Sequence, residues 1–147
     1  MIKSLKPRKN GYYKQGVIDK KILKKYVCHT KDEPIIYRSG LELQFVQYCE
    51  NNPSITKWAS EPIKIPYISR IDKKQHDYYP DYIIENSKGD RVIVEVKPYQ
   101  QTLKPDLTDN LWLKEAWVKN IDKWTAAKKF ATDHGMKFII VTEKFFE

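Results

Sequence analysis

The sequence predicts an α/β fold in which a mixed central β-sheet is flanked by helices. Three observations predict it. Residues 78–97 read as a β-hairpin, two β-branched and aromatic runs joined by the polar stretch Glu85-Asn-Ser-Lys-Gly89-Asp. Ser39 opens an amphipathic helical pattern with a clear start signal. A second helical pattern over residues 111–134 ends at Gly135 and runs into the apolar stretch Phe138-Ile-Ile-Val.

In chain order, residues 18–27 are expected to form a short helix with Ile22, Leu23 and Tyr26 on one face. Residues 28–34 make a polar connector, and Ile35-Ile36-Tyr37-Arg38 reads as extended. Ser39 is a good N-cap, with Glu42 three residues on as its capping-box partner. The helix is expected to run to about residue 50, burying Leu41, Phe45, Val46 and Tyr48 or Cys49, until Asn51-Asn52-Pro53 stops it. Residues 55–67 alternate as one or two strands broken at Glu61-Pro62, and Pro62 and Pro66 point to an edge or bulged strand. Residues 69–77 read as a charged loop containing His76.

The hairpin follows. After Lys97, prolines at 98 and 105 mark a loop to residue 110. Residues 111–120 and then 121–134 are helical by pattern, the second with Ile121, Trp124, Ala127, Lys128 and Ala131 near one stripe. Lys123 and Lys128 read as a solvated helix face, with DNA contact as the alternative. The final run, 136–142, has the composition of a fully buried central strand.

At 147 residues the chain suits one domain, able to bury about two-thirds of its unfolded surface. No apolar run approaches the roughly 20 residues of a membrane span, and the basic N-terminus lacks a signal peptide's apolar core. Cys28 and Cys49 have no metal-site spacing and read as reduced thiols, which makes the cytoplasm the default compartment. The net charge of +8 is unevenly placed: residues 1–25 hold nine basic side chains against Asp19 alone, and the remainder balances. Residues 1–34 are therefore set apart as a basic extension and 35–147 as the folded unit. Lys6, Arg8, Lys9 and Lys14 are expected to contact a phosphate backbone, without reading sequence. The competing reading straps the segment to the core through Tyr12, Tyr13, Val17 and Ile18.

Within the hairpin, Glu95 and Lys97 are two residues apart and share a face, and simple register brings Asp81 opposite them. Two carboxylates held together repel, which raises a pKa or calls for a cation. Oxygen donors in such a pair suit a hard divalent ion such as Mg2+, completed by water and a substrate phosphate. A lysine alongside can hold a phosphate oxygen. Taken alone, the triplet fits a solvated hairpin with ordinary surface charges equally well.

Four blocks in succession narrow this. Tyr37-Arg38-Ser39-Gly-Leu-Glu42, Trp58-Ala-Ser-Glu61-Pro62, His76-x-Tyr-Tyr-Pro80-Asp81 and Val94-Glu95-Val96-Lys97-Pro98 together resemble the PD-(D/E)XK nuclease superfamily. Their order is similar to that in the endonuclease subunit of heteromeric transposases, and more so to that in the head-completion nucleases of large tailed phages. The resemblance spans residues 37–143. It implies a restriction-endonuclease-like core and makes 35–147 a nuclease-like catalytic domain. It implies a metal-dependent DNA endonuclease using Mg2+, with Mn2+ as a substitute. Asp81, Glu95 and the Val96 carbonyl would be ligands, Glu42 would reach the metal from the first helix, and Lys97 would orient the nucleophile and stabilise developing charge. Glu42 also has the local role of capping its helix. Arg38 and Ser39 either contact phosphate or brace that helix, and His76 is a loop or DNA-contact residue.

No stretch marks a base-reading helix, so cutting with little sequence specificity is expected. The expected setting is packaged phage DNA during head completion, with capsid, portal or neck proteins as partners and the host cytoplasm and virion as compartments. A transposase-type subunit, or a DNA-end-binding protein of the capsid neck that no longer cuts, are the alternatives. The short stretch after Glu143 and the presence of all four site residues weigh against them.

Overall fold

Asn86 and Gly89 make the turn around which the sheet is built. Asn86 Oδ1 accepts the N–H groups of Lys88 and Asp90 at 2.9 and 3.0 Å, and Gly89 takes φ 84°, a conformation that glycine adopts without steric cost. The strands on either side then pair in simple register, Tyr82 with Val94 and Ile84 with Val92.

The computed structural model describes residues 2–4, 15–27, 34–106 and 110–147. Its strands are β1 (Ile2–Ser4), β2 (Gly16–Ile18), β3 (Ile35–Tyr37), β4 (Ile55–Ser60), β5 (Ile65–Ile68), β6 (Gln75–Tyr78), β7 (Tyr82–Asn86), β8 (Arg91–Val96) and β9 (Lys137–Val141). Helix α1 (Gly40–Asn51) lies between β3 and β4, and α2 (Leu111–Asp133) between β8 and β9. The central sheet has the order β4-β7-β8-β9 and is mixed: β4, β7 and β8 are antiparallel, and β9 runs parallel to β8. β1, β2 and β3 form a small antiparallel sheet, and β5 and β6 a two-stranded ribbon. The α/β class and mixed sheet expected from sequence are what the chain forms.

Alternation along β8 divides the core. Val94 and Val96 join Phe45, Val46 and Cys49 of α1, together with Trp58 and Tyr82, on one face. Ile93 joins Trp124, Ala127 and Ala131 of α2, with Ile65 and Tyr78, on the other. Aromatic rings fill the first layer, Phe45 against Tyr82 at 5.1 Å between centroids and Tyr26 against Trp58 at 4.8 Å. The sheet is therefore covered by a helix on each side, and its ends are left for chemistry.

Four expectations need correction. Residues 18–27 are not a helix: Ile18 pairs with Ile35 in β2–β3 and is buried, and Lys20–Ile22 form only a 3-10 turn. The segment is fixed by Glu50, whose carboxylate accepts the N–H groups of Lys24 and Lys25 and the indole N–H of Trp58. These tertiary bonds outweigh a weak local helical pattern. Second, the charged loop at 69–77 is shorter than expected, because Gln75–Tyr78 pairs with β5 and places His76 opposite Tyr67. Third, the helix expected over 111–134 forms as one helix of 23 residues, but Lys128 is exposed rather than in its buried stripe. Fourth, β9 is not central: it is an outer strand of the sheet, and Ile139 is 36% exposed.

Candidate active site

Asp81 stands one residue before β7, and Glu95 is the penultimate residue of β8. Continuing the register from Tyr82–Val94 sets them opposite each other. By alternation both belong to the face covered by α2, as does Lys97. Asp81 is tied down from two sides. Its Oδ2 accepts the Val96 N–H at 2.7 Å, and its backbone carbonyl accepts the Glu61 N–H at 2.8 Å. Glu61, at the end of β4, has φ 44°, an uncommon conformation for a non-glycine residue that is held here by this bond and an ion pair.

Glu95 is 7% exposed. Its Oε2 accepts a hydrogen bond from the Tyr78 hydroxyl, and its Oε1 lies 3.4 Å from Lys97 Nζ. Lys97 is held by its own N–H, which donates to the Val141 carbonyl at 2.9 Å. The parallel neighbour β9 thus positions the lysine that follows β8.

Glu42 enters from the other side of the sheet. Ser39 caps α1 as expected, its Oγ accepting the Glu42 N–H at 3.1 Å. The reciprocal half of a capping box is absent: Glu42 Oε2 instead accepts the Arg38 N–H at 2.6 Å. The carboxylate is turned back past the cap toward the sheet end and is 9% exposed. The Arg38 guanidinium pairs with Glu61 Oε1 at 2.6 Å.

The charges interact across this space. Burial first, then the charges of Glu95 and Glu42, push the Asp81 carboxyl well above the ordinary carboxylate range, against the pull of the Val96 N–H and Lys97. Burial likewise raises Glu42, opposed by the Arg38 N–H and guanidinium and assisted by Glu95 and Glu61. Lys123, half-buried on α2, has its pKa lowered by burial and by Lys97, while Glu95 and Asp81 act the other way. The structure therefore brings Glu42, Asp81, Glu95 and Lys97 into one electrostatic neighbourhood, with Val96 between the last two and Arg38 at its edge. Ser39 supports it as a helix cap. Lys6, Arg8, Lys9 and Lys14 lie outside the described residues. His76 stands apart from the four, bonded to Asp72 at 2.6 Å and stacked on Tyr67.

Among the described residues no group of three or more His, Cys, Asp or Glu side chains is placed to hold a metal ion as the side chains stand. The donors at the sheet end are carboxylates and a backbone carbonyl, too few to enclose an ion and all of them oxygen. They fit a small hard cation that keeps much of its water shell. A surface cleft of about 270 Å³, lined by Trp58, Ala59, Pro62, Ile63 and Ile83, contains none of the four residues.

Sequence reasoning passed over Tyr78 and Glu61 as individual residues. The signal for Tyr78 was available: a tyrosine in a strand that enters the core needs a partner for its hydroxyl, and the site carboxylate supplies one. Nothing in the sequence marks the positive φ of Glu61.

The TnsA-like endonuclease N-terminal family model matches residues 52–143, a segment that contains Asp81, Glu95 and Lys97 but not Glu42. The head completion nuclease of Enterobacteria phage T4 is 35% identical over 118 residues, which covers 74% of this chain and 79% of that protein.

Proposed function

Because the chain belongs to the TnsA-like endonuclease family, we propose that it is a metal-dependent endodeoxyribonuclease that hydrolyses phosphodiester bonds with little sequence specificity. The observation that carries this reading is the placing of Asp81 opposite Glu95 at the end of the β7–β8 ladder, with Lys97 Nζ 3.4 Å from Glu95.

Asp81, Glu95, the Val96 carbonyl and Glu42 would hold a divalent cation, Mg2+ in the first place and Mn2+ as a substitute. Such an ion, when bound, neutralises phosphate charge and favours hydroxide over water at neutral pH. The protein's own groups do the rest. Tyr78 fixes one oxygen of Glu95, and the Val96 N–H fixes one oxygen of Asp81, so both carboxylates are oriented before substrate arrives. Lys97 is a compact ammonium beside Glu95, suited to hold the attacking water or a non-bridging phosphate oxygen as charge develops. Arg38 and the basic residues Lys6, Arg8, Lys9 and Lys14 would contact phosphates further along the duplex. In this reading the basic side chains of residues 1–34 contribute affinity, beside the packing of Ile18 in the core, and 35–147 the chemistry.

The T4 relative is named for head completion. On that likeness we place this chain at the same step, acting on packaged phage DNA, with capsid, portal or neck proteins as partners and the host cytoplasm and virion as its sites of action. Among the described residues no helix is long and apolar enough to cross a membrane.

Incubating the purified protein with linear and with covalently closed circular duplex DNA tests the reading. Cutting of both in Mg2+ or Mn2+, and of neither in EDTA, is expected. Cutting that persists in EDTA, or that requires a free DNA end, would contradict it.

A further inference from the structure

Lys123 sits one residue before Trp124, which anchors α2 in the core. Lys123 itself faces Tyr78. Its ammonium lies over the ring of Tyr78, 5.9 Å from the centroid, and the hydroxyl of the same Tyr78 donates to Glu95. Lys123 is thus separated from Glu95 by the width of one tyrosine. It is half-buried, yet among the described residues it forms no ion pair, although three carboxylates stand at the same site. The Glu95 oxygens are already engaged by Lys97 and Tyr78.

Lys119 lies four residues earlier, on the same face of α2 and one turn further from the site. It is exposed and likewise unpaired among the described residues. The acidic residue next to Lys123 on the helix, Asp122, faces away and is neutralised by Arg70, which bonds it through its backbone N–H at 2.9 Å and Nε at 2.6 Å. Lys97, Lys123 and Lys119 therefore form a row of like charges leading out from the acidic cluster. Lys123 feels repulsion from the lysine on either side. A polyanion laid along the row turns that repulsion into attraction.

We propose that Lys123 and Lys119 form a phosphate-binding track on α2 that seats the DNA strand next to the bond being cut. Lys123 takes the phosphate adjacent to the site and Lys119 one further along. Both are substrate-positioning residues, and the proposal rests on the endonuclease reading above. The competing account is structural, with the Lys123 stem merely covering the Tyr78 ring.

Lys123→Met separates the two accounts, since it keeps an apolar stem over Tyr78 and removes the charge. Binding of a short duplex is measured in EDTA, where no cutting occurs, across a salt series for the parent, Lys123→Met, Lys119→Met and Lys123→Arg. Each methionine variant is expected to flatten the slope of log affinity against log salt by about 0.9, and Lys123→Arg to keep the parent's slope. Melting temperatures should not fall. The proposal is overturned if both methionine variants keep the parent's slope and affinity, including the case where Lys123→Met only melts earlier. Lys119→Met is fully informative there, because its exposed side chain does not support the fold. Cleavage by the parent in Mg2+ is scored alongside. A parent that cuts DNA while both variants bind normally defeats the track alone, whereas a parent that neither binds nor cuts defeats the endonuclease reading and the track with it.

Discussion

The N–H of Val96 donates to Asp81 Oδ2 at 2.7 Å, so the strand that carries Glu95 and Lys97 also sets the orientation of the aspartate facing it. One β-ladder thereby holds three of the four site residues. The same closeness places negative charge against negative charge, and burial strengthens the repulsion.

The repulsion gives a prediction about stability. A carboxyl whose folded pKa is raised weakens the fold once it ionises. The loss begins above the ordinary value of 3.8 and is complete when pH has passed the raised folded value. Asp81→Asn has no such loss and can still accept the Val96 N–H. In metal-free buffer the variant and parent should melt alike near pH 4, and the variant should melt higher as pH rises to neutrality. Thermal melts in EDTA over that range check this. A variant that melts lower than the parent at neutral pH would show that the carboxylates are not in conflict.

Tyr78→Phe removes the hydroxyl that fixes Glu95 Oε2. Leaving a buried carboxylate oxygen without its donor should cost about 1–3 kcal/mol in urea unfolding. Turnover should fall as well, because Glu95 is then free to rotate. Unchanged unfolding together with unchanged turnover would remove Tyr78 from the site.

Lys97→Ala should lower single-turnover cleavage by roughly 10²-fold or more, the scale of losing one charge-stabilising donor. Metal affinity, read by calorimetry, should change far less. Lys97→Arg should not restore cutting, since a planar guanidinium does not occupy the place of a compact ammonium beside Glu95. Lost metal affinity with full turnover at saturating metal would reverse the assignment.

Deleting residues 1–14 removes Lys3, Lys6, Arg8, Lys9 and Lys14 and no acidic side chain, and with them β1, the outer strand of the small sheet. The salt slope of duplex binding should flatten by about two to four units. Cleavage at saturating DNA should stay close to the parent's. A truncated protein that melts much earlier and keeps the parent's slope would assign the segment to packing, a role that Ile18 and Lys25 already show nearby. Ile18 is buried, and Lys25 Nζ donates to the Cys49 and Asn52 carbonyls at the end of α1.

The sequence made the site readable because its geometry is local. A hairpin turn at Asn86–Gly89 fixes register, and register fixes Asp81 against Glu95. The Ser39 cap was legible for the same reason. What the sequence hid depends on distant partners. Residues 18–27 look helical until Ile35 and Glu50 compete for them. The run Phe138-Ile-Ile-Val looks central because β-branched residues cannot tell an outer strand from an inner one, and only pairing with β8 alone decides it. Glu42 was expected to close a capping box, and the Arg38 N–H took its carboxylate instead.

Single-turnover cleavage of circular duplex DNA in Mg2+ by the parent and by Asp81→Asn/Glu95→Gln, purified identically, tests the central claim most directly. Both substitutions keep side-chain shape and an acceptor for Val96 N–H and Tyr78, so the variant should fold and bind DNA as the parent does. The account predicts that the parent cuts and the variant does not. Equal cutting by the two would place the chemistry elsewhere than at Asp81 and Glu95.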